Sequence, residues 1–263
     1  MERSPDPEQS TEEFWREFLT RGDSNERNAR WVFRRIPSDP RCMLCAAPFS
    51  GLGAPVMRMI GKRPSDKNPT MCTSCFDFMS KHHGGAEIDC SLLFADVRGS
   101  TALAESMSAS DFRGLLGRFY GIASRSVVAH DGSIDKFVGD ELVAIYFPLL
   151  TGQRHAAQAV ATAQALLEAT GHGGPNGPWL PLGAGVHTGR AWIGAVGDGQ
   201  RTELTALGDA VNTTARLASV AGVGEILVSA VAAQASGLEP GLEHRSLELK
   251  GKSQPTDVVV LRV

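Results

Sequence analysis

The pattern of apolar and polar positions becomes regular after about Glu87. The apolar run IDCSLLFAD has the length of a buried strand. The stretch SASDFRGLLGRFYGIASRSVVAHDG places apolar residues on one helical face with a period of about 3.6 residues. The runs SIDKFV and ELVAIYF then flank a Gly-Asp pair, which predicts a hairpin with a tight turn.

Further elements complete a known topology. A second helix is predicted over RHAAQAVATAQALLEATG, and LPLGAGVH and RAWIGAVG are predicted to be two strands around a Thr-Gly turn. A helix from about Asp209 to Val220, a strand EILVS, a short helical piece and a final hairpin follow. The order β-α-β-β-α-β predicts an α+β fold with a ferredoxin-like core, to which a C-terminal helix and strands are added.

This topology makes a prediction about two aspartates. In a split β-α-β unit the first two strands are parallel, and the third lies between them. The turn before the third strand therefore lies beside the end of the first strand. Asp96 ends the first strand and Asp140 lies in that turn. Converging carboxylates repel unless a proton or cation intervenes, which predicts a divalent metal site; two solvent-facing loop aspartates are the alternative.

The region before Glu87 differs in composition from the rest of the chain. Ser10 and Glu13 have capping-box spacing, which predicts a helix from about Thr11, and a second, Arg-rich helical stretch stops at Pro37. The predicted boundaries are 1–10 for a disordered tail, 11–41 for a helical segment, 42–86 for a cysteine module with its linker, and 87–263 for the main domain.

Four of the five cysteines form two Cys-x-x-Cys pairs, Cys42 with Cys45 and Cys72 with Cys75. Each pair can give two thiolates to one tetrahedral ion, so together they predict a four-cysteine structural zinc site in a zinc-ribbon-like module. An iron–sulfur cluster is the second metal centre that this pattern allows. Redox-active or merely buried pairs are the alternative. Cys90 stands alone and is predicted to be a buried strand residue.

Bulk composition narrows the expected partners. The formal net charge of the 263 residues is -3, which gives no general reason to expect nucleic acid or anionic lipid. No apolar run approaches the roughly 20 residues of a spanning helix. The start, MERSPDPEQS, is polar and acidic, unlike a secretory leader. We therefore expect a cytoplasmic protein with neither a nucleic-acid nor a membrane partner.

Five motifs occur in order between about Glu87 and Val263: FADVRGST, DKFVGDEL, GAGVHTGR, TALGDAVNTTARL and ELKGKS. Together they resemble the class III nucleotide cyclases, the adenylate and guanylate cyclase catalytic domain. The resemblance implies an enzyme that forms a 3′,5′-cyclic nucleotide and pyrophosphate from a nucleoside triphosphate. It also implies two Mg²⁺ or Mn²⁺ ions per site, held by Asp96 and Asp140 with the backbone of Val97.

The resemblance implies roles for other residues. One metal ion would activate the ribose 3′-hydroxyl, and the other would neutralise the triphosphate. Asn212 would orient the ribose, Arg216 would stabilise charge on the α-phosphate, and Lys250 or Lys252 would contact the terminal phosphates. Backbone amides implied to hold phosphates are those of Val97, Arg98, Gly99, Ser100 and Thr101.

Lys136 and Thr205 match the positions that select the base. An ammonium only donates, so Lys136 requires an acceptor such as adenine N1, and the Thr205 hydroxyl can accept from the adjacent amino group. Guanine presents N1–H there, and an unpaired group costs roughly 1–3 kcal/mol. Guanylate cyclases of the family carry Glu at the lysine position. The substrate is therefore predicted to be ATP, with CTP as the alternative because cytosine repeats adenine's pattern.

In the family the site forms between two protomers. The aspartates come from one chain, and Lys136, Thr205, Asn212 and Arg216 come from the other. This chain carries both sets, so the resemblance implies a homodimer with two equivalent sites. Asp135 and Glu141 match no role and are expected to be solvated.

One position departs from the family pattern. Many relatives carry an arginine for the γ-phosphate where this chain has Gly183. Either Lys250, Lys252 or Arg98 replaces it, or substrate binding is weaker. A catalytically silent nucleotide-binding regulator is therefore an alternative. A diguanylate cyclase is a second alternative, because VGDEL is similar to that family's Gly-Gly-Asp-Glu-Phe turn, although TALGDAVNTTARL and Lys136 match class III better.

Overall fold

The computed structural model describes residues 7–21, 24–38, 40–197 and 202–263. Its helices are α1 (Pro7–Thr20), α2 (Ser24–Arg35), α3 (Ala54–Met59), α4 (Thr73–Lys81), α5 (Ser100–Glu105), α6 (Ala109–Ala129), α7 (Pro148–Thr151), α8 (His155–Ala169), α9 (Asp209–Val220) and α10 (Ala230–Ser236). Its strands are β1 (Gly84–Val97), β2 (Ser133–Val138), β3 (Glu141–Tyr146), β4 (Leu182–Gly197), β5 (Thr202–Leu207), β6 (Glu225–Ser229), β7 (Glu243–Leu247) and β8 (Thr256–Arg262). Of the helices described, none has the length and apolarity needed to cross a bilayer.

The chain divides into two compact units. The first contains the described residues up to Ile88 together with two later segments, Phe147–Gly152 and Ala191–Leu207. The second contains Asp89–Tyr146, Gln153–Arg190 and Gly208–Val263. The long strands β1 and β4 each contribute residues to both units.

In the first unit, α1 begins at Pro7, within the segment predicted to be a tail and ahead of the predicted start at Thr11. Proline is accommodated there because an N–H in the first turn has no helical partner. The predicted capping role of Ser10 is therefore wrong, and residues 1–6 of the predicted tail lie outside the described residues. Trp15 and Leu19 of this helix are fully buried.

The second unit has the predicted ferredoxin-like topology. Its strand order is β2-β3-β1-β4-β6-β8-β7, and β3 lies between β1 and β2 and is antiparallel to both. Helices α6 and α8 pack on one face of the sheet, around a core that includes Phe119, Leu142 and Leu166. Helix α9 contributes Leu217 to a second core cluster with Leu227, Val258 and Val260. The predicted bounds of α9 and β6 are confirmed.

The prediction of two strands around a Thr-Gly turn at Thr188 is wrong. Residues 182–197 form one continuous strand, β4, which in the first unit pairs with β5 from Trp192↔Leu207 to Gly197↔Thr202. Thr188 is buried, and its Oγ1 lies 2.6 Å from the Oγ of Ser91 in β1. This tertiary contact keeps an otherwise turn-compatible dipeptide extended.

The hairpin β2–β3 contains a bulge at Asp135. Ile134 pairs with Ala144 and Lys136 with Val143, so Asp135 is the extra residue. The bulge leaves the Asp135 side chain 3% exposed and the Lys136 side chain 41% exposed. The expectation that Asp135 is solvated is therefore wrong. Val138 follows on the outer side and is exposed.

An ion-pair cluster joins β6, β7 and β8 at one end of the sheet. Arg245 donates two hydrogen bonds to Glu225, at 2.7 and 3.1 Å, and Arg262 donates a third at 2.8 Å. The Gly222 N–H adds a fourth at 3.0 Å. The Arg245 hydrogen bonds are the main cause that lowers the pKa of Glu225 to about 2, against the opposing effect of burial.

We predict an acid-dependent stability contribution from Glu225. Because its pKa falls from 4.5 to about 2 on folding, its contribution is full above pH 4.5 and is lost as pH falls towards 2. Glu225→Gln should lower the unfolding free energy at neutral pH by about 1 kcal/mol after solvent screening. It should also flatten the pH dependence of unfolding in that window. Glu239→Gln, at an exposed glutamate, is the control, and identical acid-unfolding curves for both variants would contradict the assignment.

Candidate active site

Three carboxyl groups meet at the end of β1 in the second unit. The register of β1 with β3 places Asp96 opposite Glu141, and Asp140 precedes Glu141 in the hairpin turn. Gly139 has a φ of +61°, which favours glycine and forms the tight turn that the sequence predicts. Asp96 and Asp140, far apart in sequence, therefore lie at one edge of the sheet.

The crowding changes the protonation of two of these groups. Burial raises the pKa of Asp96, and Asp140 adds to this effect, while Arg98 opposes it. Burial, then Asp96 and Asp140, raise the pKa of Glu141 to about 7. The expectation that Glu141 is freely solvated is therefore wrong. The hydrophobic periodicity of the sequence does not indicate that Glu141 is part of this cluster, although its pairing with Asp96 follows from the predicted topology.

The carboxylate cluster fits a divalent cation. Carboxylate oxygens are the preferred ligands of Mg²⁺ and Mn²⁺. The Oδ2 of Asp140 is buried and has no hydrogen-bond partner among the described residues. A buried carboxylate oxygen without a donor is costly unless a cation approaches it. Asp96 and Asp140 can therefore serve as metal ligands, and the third carboxyl group, that of Glu141, lies beside them.

Arg98 lies within this cluster and is already engaged. Its guanidinium forms an ion pair with Asp96 and donates a 2.9 Å hydrogen bond to the Ser219 carbonyl. Its backbone N–H donates to the Pro181 carbonyl at 2.8 Å. The Arg98 amide is therefore not free for a phosphate, contrary to the prediction.

The remaining residues of the predicted phosphate loop lead into α5. The Val97 N–H bonds to the Asp96 carboxylate, and Gly99 adopts a left-handed φ of +70° at the N-cap of α5. Ser100 and Thr101 form the first turn of that helix, where Ser100 is half-buried and Thr101 exposed. Their backbone N–H groups lie in the first turn of α5, where N–H groups have no partner within the helix.

Tyr120 positions the turn that carries Asp140, and the sequence alone does not identify it. Its hydroxyl donates to the Gly139 carbonyl, and its ring stacks on Phe137 with centroids 4.2 Å apart. Burial, followed by Asp140, raises the pKa of Tyr120. Tyr120 directly follows Phe119, a buried residue on the apolar face of α6. Its place beside that face is the only feature of the sequence that points to a structural role for Tyr120.

Helix α9 carries Asn212 and Arg216 on one face, as predicted, and Asn212 is exposed. Arg216 packs on the turn between β7 and β8, where a Cβ added to Gly251 would lie 3.2 Å from its Nη2. Lys252 of that turn forms an ion pair with Asp209, whose pKa this hydrogen bond lowers. Lys250 is exposed.

The departure at Gly183 has a steric cause. A Cβ at Gly183 would lie 2.9 Å from the Ala221 carbonyl oxygen and 3.0 Å from that of Gly222. Two residues along β4, a Cβ at Gly185 would lie 2.5 Å from the Ala218 nitrogen. Helix α9 and the loop after it therefore pack directly against β4, and no side chain fits at position 183.

His187 supports the same region from β4. Its Nδ1 lies 2.8 Å from the Oγ of Ser229, the N-cap of α10. Burial lowers the pKa of His187 to about 4, and Lys252 acts in the same direction. At neutral pH the imidazole is therefore uncharged, and its contact with Ser229 gives it a structural role.

Lys136 and Thr205 lie in different units. Lys136 projects from β2 with its Nζ 3.1 Å from the Oδ1 of Asp135. Thr205 is buried in β5 opposite Gly194. In the described part of the chain, Asn212 and Arg216 form no hydrogen bond or ion pair with Asp96, Asp140 or Lys136. The structure thus brings the two aspartates together, and it places Arg216 and Lys252 together elsewhere.

In the first unit, Cys42, Cys45, Cys72 and Cys75 form a compact cluster. Their four sulfur atoms lie within 4.8 Å of one another, and the Cys72 N–H donates to the Cys42 sulfur at 3.3 Å. All are free thiols. This is the donor set of a tetrahedral thiolate site, so the residues fit one metal ion. Burial lowers the pKa of Lys62, but the negative charge of the nearby cysteine thiolates outweighs this effect and raises that pKa.

Comparison with known proteins identifies the larger part of the chain. The family described as "Adenylate and Guanylate cyclase catalytic domain" matches residues 85–261. Adenylate cyclase 1 of Rhizobium meliloti is 30% identical over 190 residues, which are 68% of this chain and 29% of that protein. The chain spans about a third or less of the length of the curated relatives it matches.

Two solved structures have the same fold. The guanylyl cyclase Cya2 is 27% identical with a TM-score of 0.61, over 67% of this chain and 93% of that one. The adenylyl cyclase CyaB from P. aeruginosa is 26% identical with a TM-score of 0.59, over 68% of this chain and 96% of that one. Since the family match covers well over half of its length, the chain belongs to the adenylate and guanylate cyclase catalytic domain family.

Proposed function

We propose that the chain is an adenylate cyclase that converts ATP to 3′,5′-cyclic AMP and pyrophosphate. The observation that carries this proposal is the meeting of Asp96 and Asp140 at the end of β1, with a buried Asp140 oxygen that lacks a partner among the described residues. Membership of the family indicates the class of reaction, and Lys136 indicates that adenine is the preferred base. The two Cys-x-x-Cys pairs, interpreted as metal ligands rather than disulfides, and the nucleotide substrate favour the cytoplasm, where thiols stay reduced.

The reaction needs an in-line displacement at the α-phosphorus. The ribose 3′-oxygen loses its proton and forms a bond to the α-phosphorus, while the bond to the pyrophosphate oxygen breaks. Two Mg²⁺ or Mn²⁺ ions, when bound, supply Lewis-acid activation of the 3′-oxygen and charge neutralisation at the phosphates. Asp96, Asp140 and the Val97 backbone would hold these ions.

Residues of α9 and the β7–β8 turn would bind the rest of the substrate. Arg216, permanently charged and planar, would pair with the α-phosphate oxygens as charge builds there. Asn212, exposed on the same face of α9, would orient the ribose. Lys250 and Lys252 would contact the terminal phosphates, and Lys252 would first have to leave Asp209.

The site would be shared between two copies of the chain. In support, Asn212 and Arg216 bond to none of Asp96, Asp140 and Lys136 in the described part of one chain. A two-fold dimer would bring the α9 residues of one protomer to the carboxylates of the other. Each homodimer would then contain two equivalent sites.

The choice between ATP and other nucleotides depends on Lys136. Adenine offers N1 as an acceptor to its ammonium, whereas guanine offers N1–H. The relatives include adenylyl and guanylyl enzymes at similar identity, so this contact and not overall similarity favours ATP. CTP is the second candidate, since cytosine N3 and its amino group repeat the adenine pattern.

Mixing two inactive variants tests the shared site. Asp96→Ala and Arg216→Ala should each lower turnover by at least about a hundredfold, because each removes a group that acts on the transition state. Mixed together, they should recover up to about a quarter of wild-type activity in heterodimers with one intact site. Cyclic nucleotide formation with Mn²⁺ is measured by chromatography. A mixture as inactive as its components would contradict shared sites.

Replacing the base-selecting lysine tests the substrate. Lys136→Glu should lower turnover with ATP about tenfold or more, since an acceptor would then face adenine N1. Lys81→Glu, at an exposed lysine of α4, is the charge-matched control and should leave turnover unchanged. Competition among ATP, CTP and GTP in one reaction measures the preference. Wild-type selectivity retained by Lys136→Glu would exclude this role.

Metal analysis tests the cysteine cluster. The purified chain should be colourless and contain about one zinc ion, because four thiolates complete one tetrahedral site. Cys72→Ser should lose most of that zinc and unfold at lower temperature, whereas Cys90→Ala should keep the zinc. Elemental analysis and visible absorbance distinguish zinc from an iron–sulfur cluster. Full zinc retention in Cys72→Ser would rule out the four-cysteine site.

A further inference from the structure

A cluster of aliphatic side chains is exposed on the cysteine module, at and around α3. Leu52 is 97% exposed, Met59 87%, Val56 56% and Ile60 54%. We call these four residues the α3 patch. Leu52 and Met59 are the two most exposed large apolar side chains in the described part of the chain. Exposed apolar clusters with polar rims commonly mark a binding surface.

The module holds this patch outward by specific contacts. Helix α3 buries only Ala54 and Met57, which lie three apart on its inner side. Before the helix, a Cβ at Gly53 would lie 2.8 Å from the Ile36 side chain and 3.0 Å from Pro48, so the loop is packed onto the module. This close packing restrains the backbone next to Leu52.

The far end of α3 is fixed as well. The Lys62 N–H donates to the Met57 carbonyl at 2.8 Å. The hydroxyl groups of Thr73 and Ser74, at the start of α4, donate to the Gly61 carbonyl at 2.7 and 2.9 Å. The α3 patch is therefore a supported surface and not a loosely attached loop.

The charge around the α3 patch is opposite to that of the whole chain. Residues 40–65 contain no Asp or Glu but four cations, whereas the full chain carries -3. Of these cations, Arg41 donates hydrogen bonds from its guanidinium to the Phe33 and Ile36 carbonyls. Lys62 lies beside the cysteine cluster. Arg58 and Arg63 are exposed and form no ion pair with any described residue.

We propose that the α3 patch docks the chain onto an anionic membrane surface. Aliphatic side chains would enter the boundary between headgroups and acyl chains, and Arg58 and Arg63 would pair with lipid phosphates. This combination of buried apolar area and basic charge is what binds a protein to the face of a bilayer without spanning it. It replaces the expectation of no membrane partner, which rested on the net charge of the whole chain, on the lack of an apolar run long enough to span a bilayer and on the polar start of the sequence.

Other occupants fit less well. A second copy of the chain across a two-fold axis would place Arg58 and Arg63 against the same cations, since such interfaces pair a patch with itself. Single-stranded nucleic acid is bound largely by stacking on aromatic rings, and the α3 patch is wholly aliphatic. An anionic bilayer matches both the aliphatic side chains and the positive charge.

Vesicle co-sedimentation of the full chain tests the proposal. We expect binding to phosphatidylcholine vesicles containing about one third phosphatidylglycerol, weakening as salt rises, and little binding to pure phosphatidylcholine. Leu52→Ser with Met59→Ser should weaken binding about tenfold or more, and so should Arg58→Glu with Arg63→Glu. Unchanged metal content and circular dichroism show that these surface variants fold.

Matched variants separate the patch from general surface effects. Val231→Ser changes an exposed valine of α10, and Lys81→Glu with Arg113→Glu reproduces the charge change, so both should bind like wild type. Equal binding to neutral vesicles, or equal losses in these controls, would overturn the proposal. A dimer dissociated by the Leu52 and Met59 changes, or nucleic-acid binding lost with them, would instead assign the patch to those partners and also overturn it.

Discussion

The hydrogen-bonded pairing of β1 with β3 is the constraint on which the proposed chemistry depends. It places Asp96 opposite Glu141 and leaves Asp140 in the adjoining turn, so three carboxyl groups share one sheet end. Such a concentration of negative charge opposes folding unless a cation or proton offsets it. Tyr120, through the Gly139 carbonyl, and Arg98, through Asp96, restrain the groups around it. The fold thus holds a costly arrangement that a divalent cation would relieve.

A second constraint is the close approach of α9 to β4. Glycine at positions 183 and 185 lets backbone meet backbone, which fixes the helix that presents Asn212 and Arg216. The same contact gives Arg216 its position over Gly251 and brings Asp209 to Lys252. Packing of small residues, together with the Lys252–Asp209 ion pair, therefore helps to place the residues proposed to bind ribose and phosphate.

Local signals in the sequence predicted the regular elements well. The Gly139 turn forms, and α9 and β6 have their predicted bounds. Errors arose where tertiary contacts outweigh local preference. Burial of Thr188 against Ser91 keeps β4 continuous, and the bulge buries Asp135. Neither contact has a local signature, and neither does the unusual pKa of Glu141, which depends on groups distant in sequence.

The glycine at position 183 also limits how this chain can change. A Cβ at this position would face the carbonyl oxygens of Ala221 and Gly222. A larger side chain could fit only if the end of α9 moved. That helix carries Arg216, so an arginine at position 183 would disturb the side chain proposed to bind the α-phosphate while adding a new cation. The two positions are therefore coupled through the end of α9, and a larger residue at position 183 requires a compensating shift of the backbone after that helix.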